Sequence, residues 1–94
     1  MRELNDRAIR WAFQKEVGDS RAKFLLCTIA AAVDGHGRCS ISVEKLSRKC
    51  ELTPRTTLHR LHRLEEMGLL EKRPASGELG RRGLYDFRLR GDEG

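Results

Sequence analysis

The chain has 94 residues, 35% charged and 38% hydrophobic, with 19 Lys and Arg against 14 Asp and Glu for a formal charge of +5 and a pI near 9.6. That length makes one domain burying roughly 60–65% of its unfolded surface, enough for a modest core and too little for an enzyme with a deep cleft. The basic balance points to a polyanionic partner and is concentrated locally: between residues 45 and 63, Lys45, Arg48, Lys49, Arg55, Arg60 and Arg63 oppose only Glu51, whereas charge from Met1 to Asp19 balances.

Residues 4–17 carry Ala8, Ile9, Ala12, Phe13 and Val17 at helical spacing, with Trp11 to one side. This predicts an amphipathic N-terminal helix with Asn5 as its N-cap and Gly18 as its left-handed stop. The plainer reading is that the helix packs on the domain; the sharper one is a homodimer contact made by Trp11 with Leu4 or Phe13, because aromatic residues concentrate at interfaces. A second helix over 20–34, capped by Asp19 or Ser20, is apolar over most of its circumference (Phe24, Leu25, Leu26, Cys27, Ile29, Ala30, Ala31, Val33) and is therefore the central core helix. Asp34-Gly35-His36-Gly37 breaks it with a tight turn, and Arg38 to Ile41 reads as a short strand. With only Asp34 nearby, His36 reads as an exposed turn histidine and not as a metal ligand.

From Ser42 onward two short helices follow in close succession. Ser42 can accept a bond from the free amides of a helix start, and Val43, Leu46, Ser47 and Cys50 recur on one face, predicting a helix over 42–50. Glu51 and Leu52 form the turn, Thr53 is a second N-cap, and Pro54 takes the first helical position, where its missing N–H costs nothing. The second helix, 54–67, sets Thr57, Leu61 and Leu64 on one stripe at about 100° per residue, with Arg55, Thr56, His59, Arg60 and Arg63 on the far side. Gly68 stops it. A strand from Leu69 breaks at Pro74, a glycine-rich loop runs to Gly83, and Leu84 to Arg90 alternates, with Tyr85, Phe87 and Leu89 on one face. Residues 69–90 are thus a hairpin, and 91–94 an acidic, disordered tail.

The run from Ser42 to Leu70, SVEKLSRKCELTPRTTLHRLHRLEEMGLL, resembles the helix-turn-helix of winged-helix DNA-binding proteins, most closely the small domains of phage and bacterial replication and regulatory proteins. The resemblance rests on Ser42, Thr53, the Arg55-Thr56 pair and the segment Leu64 to Leu69, and it extends weakly over nearly the whole chain. Two positions depart from the pattern: Glu51 stands where the turn often has glycine, and Thr57 where the buried position is usually Val or Ile. The resemblance implies an α+β, mainly α fold: a winged helix-turn-helix over 1–90 with an extra N-terminal helix and a small antiparallel sheet in which the Arg38–Ile41 strand pairs with the hairpin.

The implied function is sequence-specific binding of double-stranded DNA by a phage or bacterial transcription regulator. The second helix would enter the major groove, about 12 Å wide, where Arg55, Thr56, His59, Arg60 and Arg63 divide base and phosphate contacts and Arg55 and Arg60 read guanine. Lys45, Arg48, Lys49 and the backbone donors near Thr53 would hold phosphates. Arg81 and Arg82 at the wing tip would reach a phosphate or the minor groove, against a plainer reading as a solvated loop. Two rival roles are the origin-binding module of a replication initiator and a winged helix used only to bind proteins.

Other chemistry finds no support. Cys27, Cys39 and Cys50 are odd in number and lack C-x-x-C spacing, which indicates neither a disulfide framework nor a zinc site and suits a reduced, cytoplasmic setting. His59 and His62, three apart, lack the further ligands a metal would need, so no metal or cofactor is expected. Ser40 and Ser42 have no local base, the Gly77–Gly83 loop precedes a strand and is no phosphate-binding fingerprint, and no catalytic site is expected. Arg2 to Arg10 lacks the apolar run of a signal peptide, and Phe24 to Val33 is too short to span a membrane.

Overall fold

The computed structural model describes residues 3–75 and 83–90, leaving out the side chains of residues 3–5. The elements run α1 (Glu3–Gln14), α2 (Ser20–Ala32), β1 (Arg38–Ser42), α3 (Val43–Cys50), α4 (Pro54–Glu66), β2 (Leu70–Pro74) and β3 (Leu84–Leu89). The three strands form one antiparallel sheet in the order β1-β3-β2. As expected, the strand after the Asp34 turn pairs with the later hairpin, Ile41 lying opposite Tyr85 and Cys39 opposite Phe87. Because side chains alternate along a strand, Phe87 and Leu89 enter the core while Asp86 and Arg88 face solvent.

Helix α2 is central. It buries Ala22, Leu25, Leu26, Ile29 and Ala30 and packs against α1, α3 and α4, which contribute Ala8 and Ala12, Leu46, and Leu61 and Leu64 to the same core. Each large aliphatic side chain so removed from water contributes about 1.5–3 kcal/mol before entropy is counted. Asp19 is the N-cap of α2, its Oδ1 accepting the amides of Arg21 at 2.9 Å and Ala22 at 3.3 Å.

The N-terminal helix departs from expectation in three ways. Asn5 lies inside α1 and not at its cap, since the helix has begun by Glu3. Gly18 does not stop it either: α1 ends at Gln14, and the carbonyls of Phe13 and Lys15 are both taken by Lys23 Nζ at 2.6 Å, a cation placed at the negative pole of the helix. Gly18, at φ 83°, instead turns the linker toward the Asp19 cap. Phe13, assigned by spacing to the buried face, is 64% exposed, while Trp11 is half buried against the core.

The two helices of the motif begin and end on the residues that their sequences announce. Ser42 Oγ accepts the Lys45 amide at 3.0 Å and Thr53 Oγ1 the Thr56 amide at 3.1 Å, with Pro54 in the first turn. Both helices close with the same six-to-one bond, Leu52 N–H to Ser47 C=O at 2.9 Å and Leu69 N–H to Leu64 C=O at 3.1 Å. In α4 the left-handed position of this closure is Gly68, at φ 77°; in α3 it is Glu51, at φ 58° and ψ 42°. A side chain with a Cβ there costs about 1–2 kcal/mol.

The fold is therefore a winged helix-turn-helix, α+β and mainly α, with an additional N-terminal helix. The hairpin's loop at 76–82, including Arg81 and Arg82, and the acidic tail at 91–94 lie outside the described residues. Among the described residues, no helix is long and apolar enough to cross a membrane.

Candidate nucleic-acid interface

The outer face of α4 is fixed by what lies beneath it. Thr57, Leu61 and Leu64 are fully buried, so Arg55, His59, His62, Arg63 and Glu66 form the opposite, exposed stripe, with Thr56 half buried at its margin. Among the described residues, neither Arg55 nor Arg63 is engaged in a salt bridge, whereas His62 lies 3.8 Å from Glu65 and 3.4 Å from Glu66. Sequence reasoning weighs His62 only as a metal ligand; its spacing of three from His59 and seven from Arg55 is the signal that it shares their stripe. Among the described residues, no group of three or more His, Cys, Asp or Glu is placed to hold a metal.

Arg60, grouped by the helical wheel with the outer residues, does not share the stripe. It lies on the flank of α4 that faces the start of α2, its Nε 2.9 Å from Asp19 Oδ2, and both side chains are largely covered (22% and 23% exposed). Nε is buried and not aligned for a hydrogen bond, so charge holds the pair. Burial raises the Asp19 carboxyl, but the amides of Ala22 and Arg21 and the guanidinium charges of Arg60 and Arg63 outweigh it and hold the group below its ordinary 3.8. Arg60 Nη1 also lies 3.0 Å from His59 Nδ1.

The threonine at 57 is accounted for by its neighbour. Ser47 Oγ lies 2.6 Å from Val43 C=O and 2.9 Å from Thr57 Oγ1, all within the buried seam between α3 and α4. Ser47 has one hydroxyl proton, so when it donates to Val43 the proton of the second bond comes from Thr57. A Val or Ile would fill the same space without this cross-link; here two hydroxyls satisfy each other and set the register of the two helices.

The basic residues of α3 fall on two edges. Ser47 marks the side toward α4, and Arg48, on that flank, pairs with Glu44 at 3.6 Å in an exposed contact worth little. Lys45 and Lys49 lie on the other flank, and Lys49 lines an apolar groove of about 420 Å³ together with Phe13, Phe24 and Ile41. At the start of α4, Pro54 has no N–H and Thr53 receives the amides of Thr56 and Thr57, which leaves the Arg55 amide as the donor without an intrahelical acceptor. The Arg55 amide is thus a backbone donor at the positive pole of the helix.

The cysteines are not poised for chemistry. Burial pushes the Cys39 thiol up to about 11, with Asp34 and Asp86 adding to the effect. Burial likewise raises Cys27 and Cys50, and the Cys50 S–H donates to Thr28 Oγ1 at 3.4 Å. His36 is an exposed turn residue whose amide is held by Asp34 Oδ1 at 2.8 Å.

A family model described as a helix-turn-helix domain matches residues 20–70, from the start of α2 to the first residue of β2. No curated protein and no solved structure matches the chain significantly.

Proposed function

The chain belongs to the helix-turn-helix domain family, and from that premise we propose that it binds double-stranded DNA sequence-specifically, as a transcription regulator of a phage or bacterium acting in the cytoplasm. The observation that carries the reading is the outer stripe of α4, where Arg55 and Arg63 stand exposed and, among the described residues, outside any salt bridge, on a helix whose other face is locked into the core. Arg55 reads guanine, Arg63 and Thr56 divide base and phosphate contacts, and the Arg55 amide receives a phosphate. Lys45, Arg48 and Lys49 add sequence-independent affinity, and Arg81 and Arg82 extend the contact beyond the major groove. Selection of bound sequences from random duplex DNA tests this. An enriched motif whose binding weakens with salt is expected; no enrichment at low salt would contradict the proposal.

Homodimerisation is proposed alongside, on one specific observation. Phe13 and Phe24, 64% and 53% exposed, flank the apolar groove that Ile9, Cys27, Cys39 and Ile41 help to line. This favours Phe13 over the half-buried Trp11 as the contact residue. A palindromic motif in the selection, together with a sedimentation coefficient that falls in Phe24→Glu, is the expected result; a wild-type monomer selecting a single half-site would exclude it.

A further inference from the structure

Arg60 stands between two partners of different kinds. On one side is Asp19, already fixed because its Oδ1 serves as the cap of α2 while Oδ2 faces Arg60 Nε at 2.9 Å. On the other is His59, whose Nδ1 lies 3.0 Å from Arg60 Nη1. A guanidinium carries only donors, so the imidazole nitrogen facing it must accept. The ring proton then sits on Nε2, across the ring from Nδ1, on a histidine that belongs to the exposed stripe of α4.

We infer that Asp19 and Arg60 are positioning residues that hold His59 in its Nε2–H tautomer, so that α4 offers the DNA a hydrogen-bond donor at this position. The inference rests on the reading of α4 as the DNA-contacting helix. Its consequence is a preference. A donor meets N7 or O6 of a purine, O4 of thymine or a phosphate oxygen, whereas the other tautomer would offer an acceptor and meet the amino groups of adenine or cytosine. Arg60 thereby acts on recognition without reaching a base itself, and Asp19, in the loop before α2, acts one step further back.

Two measurements test this. In the free ¹⁵N-labelled protein at pH 8, long-range ring couplings report the tautomer: the Nε2–H pattern is expected for wild type and for Arg60→Lys, which still donates, and tautomer mixing for Arg60→Met and Asp19→Asn. Asn caps a helix as well as Asp does, so the Asp19→Asn variant keeps α2. An Nδ1–H pattern in wild type would overturn the proposal. The second measurement uses the duplex recovered by selection, scanned with 7-deazapurines, with 2-aminopurine in place of guanine, with a thymine analogue lacking O4 and with methylphosphonates, which separate N7, O6, O4 and a phosphate as the acceptor. One substitution should cost wild type about tenfold in affinity, the worth of one good hydrogen bond, and cost His59→Ala nothing. Arg60→Met and Asp19→Asn should lose most of that discrimination while still binding. If His59→Ala selects the same sequence with wild-type affinity, the proposal fails and the DNA reading stands; if wild type recovers no duplex, both fail.

Discussion

Helices α4 and α1 both lay one stripe on α2, yet α1 sets an exposed phenylalanine among its outer charged residues and α4 does not. The outer face of α4 carries Arg55, His59, His62 and Arg63, and that of α1 ends in Phe13 beside the Phe24 of α2. The same core therefore supports two surfaces driven by different forces. The DNA binding proposed for the first would be weakened by salt through counterion release, whereas the apolar burial proposed for the second would not, so salt and mutation can address each surface separately.

The largest effect is expected where the two surfaces share their support. Leu61 is fully buried under the outer stripe, and Leu61→Ala should cost about 2–5 kcal/mol in urea unfolding and weaken both surfaces together. Next in size, Arg55→Ala should cost about 1–3 kcal/mol of affinity for a half-site in a filter or fluorescence titration and leave stability alone. Phe13→Ser should do neither on a half-site. A matching loss of affinity in Phe13→Ser would mean that the two surfaces are not separable.

The seam between α3 and α4 comes next in size. Ser47→Ala leaves the buried Thr57 hydroxyl without its partner and should cost about 1–2 kcal/mol, while Ser47→Ala/Thr57→Val removes both hydroxyls and should recover most of that loss. Additive losses in the double variant would show that the two hydroxyls do not depend on each other. A smaller effect of opposite sign is expected at the turn. Glu51 occupies the left-handed position that Gly68 takes at the matching end of α4, so Glu51→Gly should stabilise the protein by about 0.5–1 kcal/mol.

Asp19 supplies a test by pH. Its carboxyl is depressed in the folded state, so the stability it contributes is present above the ordinary value of 3.8 and is lost as pH falls through the lower folded value. Wild type should accordingly be more stable than Asp19→Asn at neutral pH, with the difference shrinking as pH drops below 3.8. A difference that is constant through acid would mean that the ionised carboxylate is not what Asp19 contributes.

The boundaries of the motif are legible in the sequence because Ser42, Thr53 with Pro54, and Gly68 act on amides and carbonyls within a few residues of themselves. The end of α1 is not. It depends on Lys23, a residue of another helix, which leaves Gly18 as the only visible stop signal. Arg60 is misplaced by the wheel for a similar reason: its angle is marginal, and what settles its side is Asp19, far away in sequence. Thr57 is visible as a departure, but its explanation requires Ser47 to be brought opposite. Phe13 shows the limit of periodicity, since spacing alone does not say where a buried stripe ends.

Engagement of DNA by the arginines of the outer α4 stripe, as proposed, makes binding depend on salt. Measured on the selected half-site between about 50 and 200 mM salt, log K should fall linearly with log salt, and the slope should shrink by about 0.9 for each phosphate that the Arg55→Ala/Arg63→Ala variant no longer neutralises. Wild-type and double-variant titrations that superimpose, in both affinity and slope, would contradict the account.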